Sequence, residues 1–243
     1  MFYRYPAIDD EVVSQVVGLS HFNLEKLKEL VIPRPELARA VWDWGFGDWE
    51  SALGAAAHVG RRDIALFLME KGARADIFTF TMMGQLEVVK AMIKASPGIE
   101  SVAGPHGFSL LHHAKVGLES NDLTEKEKRA QHKMVEFVER LGNADQQEKY
   151  MEYSELNKEI YLGDYKYGDG EEDGFTIRLN MRKMLSFGRL GKFGGSLYRL
   201  DGQRFRYNGA PSVEISFQLE GQKVVSLTVH EPSLILTAKK VTG

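Results

Sequence analysis

Four histidines carry the chemistry this sequence could do: His58, His106, His112 and His113. An imidazole can ligate a metal or move a proton near neutral pH. Metal motifs on one element use spacings such as H-x-E or H-x3-H with an acidic third ligand, and no pair here has one. A zinc site of His58, His106 and His113 would have to be assembled by the fold, so no metal and no other cofactor is expected. Nucleophilic catalysis has less support, because the chain has no G-x-S-x-G and no cysteine. The stretch GRLGKFGG at 188–195 is rich in glycine but lies between strand patterns, whereas a phosphate cradle opens a helix. Glu171-Glu172-Asp173 reads as a solvated acidic turn. The expectation is a protein that is not an enzyme.

The elements that must position these residues are centred on Trp42 to Asp76. Ala55, Ala56 and Ala57 make a thin helix that a neighbour can approach closely. Ile64, Phe67, Leu68 and Met69 follow i, i+3, i+4 spacing and give a second helix one apolar face. Gly60 and Gly72 are the stops. Two such short helices cannot bury their faces alone, so further helix pairs should flank them. The stretch resembles an ankyrin repeat, T-P-L-H-x-A-A-x-x-G followed by L-L-x-x-G-A-x-x-N. Ser51 stands at the Thr, Leu53 at the Leu, Ala56 and Ala57 at the small residues, Gly60 at the first stop, and Asp76 at the final Asn. Gly54 departs from the pattern, where the family usually has His.

The rest of the N-terminal half extends this reading. Residues 1–8 are expected to be an extended arm. A helix capped by Asp9 or Asp10 reaches Leu19, and a second runs from Asn23 to Val31, a degenerate first repeat. The third repeat is abbreviated, since Gly60 and Gly84 are separated by less than the ankyrin period of about 33 residues. GFSLLHHAKVG at 107–117 restores the signature, with His112 on the family's turn-bonding histidine. His113 is expected at the surface. Thr124 and Glu127 form a capping box for a last helix ending at Leu141. Leu53, Ile64, Leu68, Val88, Val89, Leu111, Val135 and Val138 are the expected core.

All three tryptophans lie in WDWGFGDW, 42–49. Gly45 and Gly47 permit a tight turn with positive φ. In ankyrin proteins such fingers touch partners. Trp42 and Trp49 are read chiefly as packing residues, and Trp44 and Phe46 as packing or binding residues. The resemblance implies a partner surface of Trp42, Asp43, Trp44, Phe46, Asp48, Trp49, His58, His106 and His113.

Near residue 150 the hydrophobic period changes from helical to two. TIRLNM at 176–181, VEISFQL at 213–219, VSLTV at 225–229 and LILTA at 234–238 alternate. Asp201-Gly202 and Glu220-Gly221-Gln222 read as hairpin turns. Roughly eight short strands suit a small antiparallel barrel. YLGDYKYG and the final A-K-K-V resemble the lipocalin-like β-domain appended to some bacterial hydrolases. Such a barrel could hold a small ligand, lined by Tyr161, Tyr165, Phe175, Tyr198, Phe205 and Tyr207.

The fold class is therefore α+β in two domains: an ankyrin-type α-solenoid over 1–148 and an all-β barrel-like domain over 149–243. A net charge of −3 gives no electrostatic case for nucleic acid, and no apolar run is long enough to span a bilayer. The expected function is protein–protein interaction through the concave ankyrin surface and its fingers, by a monomer. The alternative is a small-molecule carrier with its ligand in the barrel. Chains that this layout resembles are bacterial and often exported. That implies a periplasmic or external location if the chain is a trimmed mature form, and a cytoplasmic one if Met1 is the native start.

Overall fold

The structure is a computed structural model and describes residues 6–120, 123–146, 150, 151, 153, 155–180 and 182–241. Met181 and the first five residues of the expected arm lie outside the described residues. The chain divides into two compact units, one of residues 1–42 and 49–147, the other of residues 43–48 and 148–243. The six finger residues 43–48 thus belong with the second unit, whereas the sequence reading kept all of 1–148 together.

The first unit is helical: α1 (Asp10–Leu19), α2 (Leu24–Val31), α3 (Ala52–His58), α4 (Arg62–Glu70), α5 (Ile77–Met82), α6 (Leu86–Ala95), α7 (Leu110–Leu118) and α8 (Glu125–Leu141). Short polar side chains start most of them. Asp9, Asn23, Ser51, Asp76 and Ser109 each accept a backbone N–H of the first turn, and Thr124 with Glu127 closes the capping box. Helices α1, α3, α5 and α7 touch in succession, and each also packs on the helix that follows it. The alanines of α3 are fully buried, so this contact is close. Gly60 has φ +73°, and a Cβ there would lie 2.5 Å from the Val116 carbonyl oxygen. The Gln131 side-chain amide, buried in α8, donates to the Thr81 and Ala114 carbonyls at 3.0 and 2.8 Å, joining α8 to α5 and α7. Leu53, Ile64, Leu68, Val89, Leu111 and Val138 are buried as expected. Val88 is not, at 38% exposure, and Val135 is only partly buried. Val88 and Val89 are adjacent on α6 and cannot share its single buried stripe.

Between α2 and α3 the chain forms a two-stranded ribbon, β1 (Val41–Asp43) and β2 (Trp49–Ser51). At its tip Asp43 Oδ1 accepts the N–H groups of Gly45 and Gly47 at 2.9 and 3.1 Å. Gly45, Phe46 and Gly47 all have positive φ, which costs Phe46 energy that its glycine neighbours escape.

The second unit is a closed antiparallel barrel of eight strands: β3 (Gly163–Lys166), β4 (Gly174–Leu179), β5 (Leu185–Arg189), β6 (Gly195–Asp201), β7 (Arg204–Tyr207), β8 (Glu214–Glu220), β9 (Lys223–Glu231) and β10 (Leu234–Lys240). Neighbours in sequence pair, and β10 closes on β3 through Lys239–Lys166 and Lys240–Tyr165. Both expected turns join strands, at Gly202 and Gly221 with positive φ. Ile177, Leu197, Phe205, Ile215, Phe217, Leu227 and Val229 form its core. In β10, Leu234 and Ile235 are exposed and Ala238 is buried, so the apolar start of LILTA does not reach the interior. The Phe46 ring packs on this core, 5.0 Å from Tyr207 and 5.8 Å from Phe187 between centroids. The Tyr207 hydroxyl donates to the Trp44 carbonyl at 2.8 Å and accepts from the Gly195 N–H at 2.7 Å.

Candidate functional site

Alternation along β2 sends neighbouring side chains to opposite sides. Trp49 is 62% exposed and Glu50 is fully buried. A carboxylate out of water needs partners, and three imidazoles of the helical unit supply them. His21 lies in the turn after α1, His58 is the last residue of α3, and His106 sits in a 3-10 turn at Pro105–Gly107. Their nitrogens approach the carboxylate at 3.5 Å (His21 Nε2 to Oε2), 3.0 Å (His58 Nδ1 to Oε1) and 3.3 Å (His106 Nε2 to Oε1).

The backbone brings these groups together. His106 holds a left-handed conformation, φ +58°, in a loop pinned by the Gly104 N–H on the Phe108 carbonyl at 2.8 Å. Gly54 of α3 faces that loop, and a Cβ there would meet Pro105 at 3.1 Å. The missing side chain lets the His106 turn lie close over α3. His58 and His112 sandwich the Phe108 ring, with centroid separations of 5.2 and 4.1 Å. His112 Nε2 lies 2.8 Å from the His58 carbonyl oxygen, which only accepts, so the proton of His112 is there.

Proton placement follows from the acceptors. His21 Nδ1 faces the carbonyl oxygens of Val17 and Gly18 at 3.2 and 3.1 Å and carries a proton. His58 Nδ1 faces the Gly54 carbonyl at 3.2 Å as well as Glu50, and carries one too. Burial pushes the Glu50 carboxyl up, but hydrogen bonds from His106, His21 and His58 outweigh it and hold the group well below the usual carboxylate range. Burial also drives His58 down to about 4, against the pull of Glu50. At neutral pH the cluster therefore pairs an ionised Glu50 with a neutral His58. The converging atoms, one from each of His21, Glu50, His58 and His106, lie within 4.8 Å of one another, a set able to hold a cation.

The sequence reading identified His58 and His106 and missed His21 and Glu50. Each missing residue stands alone on its own segment, with no motif around it. Gly54, where the stretch departs from the pattern it resembles, was the available signal. His113 is not in the cluster and not at the surface: it is fully buried, with Nδ1 2.8 Å from the Ser109 carbonyl and its ring against Phe78. Asp48, His58 and His113 are too buried to touch a partner. Trp42, Asp43, Trp44, Phe46 and His106 are partly exposed, and Trp49, expected to pack, is the most exposed of the tryptophans.

In the barrel the expected ligand-lining residues make its core. Tyr161, Tyr165, Phe205 and Tyr207 are fully buried, and Phe205 and Phe217 contact Tyr161 edge-on at 5.8 and 4.9 Å. The Tyr165 hydroxyl donates to the Tyr161 carbonyl at 2.6 Å, and the Tyr161 hydroxyl donates to Gln203. Phe175 is half-buried against Phe187. Tyr198 is also buried in this core, paired with Arg206 in register and stacked on Tyr150 at 4.6 Å. These rings belong to the buried core of the barrel. The 188–195 stretch links β5 to β6 as a hairpin, as its position between strands implied.

No family model matches the chain, and no curated protein or solved structure matches it. Among the described residues no helix is long and apolar enough to cross a membrane.

Proposed function

We propose that this is a non-enzymatic binding protein whose helical unit is an ankyrin-type recognition array. The observation that carries the reading is Trp49, an exposed indole on a strand whose next residue, Glu50, is locked by three histidines. A large aromatic on a fixed backbone loses little entropy on binding, and tryptophan is enriched among residues that dominate interfaces. The succession of contacting helices α1, α3, α5 and α7, with thin buried α3, supports the array reading. The partner is a protein met on the side of the array that presents the ribbon. The burial of Tyr161, Tyr165, Phe205 and Tyr207 supports this reading over the small-molecule carrier.

The test is paired. Affinity capture with the full chain and with Trp49→Ala should recover the same partner, at least tenfold less with the variant, at an unchanged melting temperature. Equal recovery at equal stability would remove Trp49 from the binding surface and this reading with it.

A further inference from the structure

We propose that His21, Glu50, His58 and His106 bind one divalent transition-metal ion of the zinc class. The four residues come from four separate segments, so no local turn or helix accounts for their convergence. Zinc holds nitrogen and oxygen ligands tetrahedrally at about 2.0–2.1 Å, which makes the edges of the ligand tetrahedron about 3.3–3.4 Å. The three nitrogen-to-carboxylate separations are 3.0, 3.3 and 3.5 Å. All four ligand atoms lie within 4.8 Å of one another, so the cage forms by drawing the side chains together around the ion.

The protons favour the same conclusion. His21 is anchored by Nδ1–H on backbone carbonyls, the support that ligating histidines commonly have. Its Nε2, the nitrogen left to ligate, faces a Glu50 carboxylate oxygen at 3.5 Å and is already aimed into the cluster. His58 ligates through Nδ1 once its single proton has moved to Nε2. The buried Glu50 carboxylate supplies an anionic ligand to which a divalent ion is drawn. Three nitrogens and one oxygen without sulfur suit zinc, cobalt or nickel, and not the oxygen cages of calcium and magnesium. Four protein ligands form a closed, structural site rather than a catalytic one, which is compatible with a protein that binds without catalysis. His21 and His106 keep 14% and 15% of their side chains exposed, so the ion has an edge by which to enter.

The experiment uses the full chain after chelator treatment, titrated with zinc(II) against a chromophoric competitor and separately with cobalt(II). One ion per chain is expected, with the intense visible absorption of four-coordinate cobalt and a higher melting temperature in zinc. His21→Ala and His106→Ala should each weaken zinc at least about tenfold, as loss of metal-site groups does, and abolish the cobalt spectrum. Both positions are partly exposed, and their folding is checked by thermal melting without metal. His113→Asn should bind as the parent does. Absence of stoichiometric uptake by the parent overturns the proposal. So does uptake unchanged in both alanine variants. Neither result bears on Trp49, so the binding reading stands or falls separately.

Discussion

His113 should make the helical unit sensitive to mild acid, by an amount that the structure fixes. Its ring is fully buried in α7, beside Phe78 and Gly104. Nδ1–H donates to the Ser109 carbonyl, and among the described residues Nε2 has no hydrogen-bond partner. Burial therefore lowers the imidazole from 6.5 to about 3, helped slightly by charge on His58 and His112 and opposed by the Ser109 hydrogen bond. The unfolded chain takes up a proton below about pH 6.5, and the folded chain resists it until about pH 3. Stability from this group is thus complete above the unfolded value and falls as the pH drops through the window. At pH 5 the unfolded state gains about 1.5 pH units of proton binding, or about 2 kcal/mol at about 1.4 kcal/mol per unit. Denaturant unfolding of the parent and of His113→Asn, from pH 7.5 to 5, measures it. Asn keeps a donor near the position of Nδ1–H and removes the titration. The variant starts less stable because it leaves a cavity, so the readout is the slope against pH and not the stability itself. The parent should lose about 2 kcal/mol more than the variant over that range. Parallel slopes would show that His113 accepts its proton in the folded state, and the argument from its buried, half-partnered ring would fail.

Two further outcomes test packing. Phe46→Ala should destabilise the barrel unit by about 2 kcal/mol, less than a fully buried phenylalanine would, whereas Phe46→Gly should recover about 1 kcal/mol of that loss by relieving the positive φ. Leu68→Ala should cost about 2–5 kcal/mol, while Val88→Ala on the exposed side of α6 should cost less than about 1 kcal/mol; similar losses at both would contradict the burial of one and the exposure of the other.

How much of this was legible in the sequence depends on how far each decision reaches along the chain. The cap of α8 needed only Thr124 and Glu127, three residues apart, and the turn between β8 and β9 needed only Gly221 between alternating strands. Strand alternation also implied a barrel, which the structure closes with eight strands. Decisions made across the fold left weaker traces. The pairing of β10 with β3 that closes the barrel joins residues more than 70 positions apart, and no turn announces it. Phe46 has the composition of a loop anchor, yet its ring serves the core around Tyr207, more than 160 residues away. Glu50 is the sharpest case. In the sequence it is an unremarked acid beside a tryptophan, and hydrophobicity alone would place the indole inside and the carboxylate outside. The structure reverses them, because α3 must begin at Ser51 and the strand before it can turn only one of two adjacent side chains inward. Burying the charged one is tolerable only where imidazoles already converge, and they converge because Gly54 lets the His106 turn close over α3. A Gly54→Ala substitution therefore bears on the whole arrangement: its Cβ would lie 3.1 Å from both the Pro105 ring and the Ser51 hydroxyl, pushing the His106 turn away from Glu50 and crowding the cap of α3. That would lower stability and weaken zinc together, and a variant with weakened zinc but parent stability would show that Glu50 does not need His106 to stay inside.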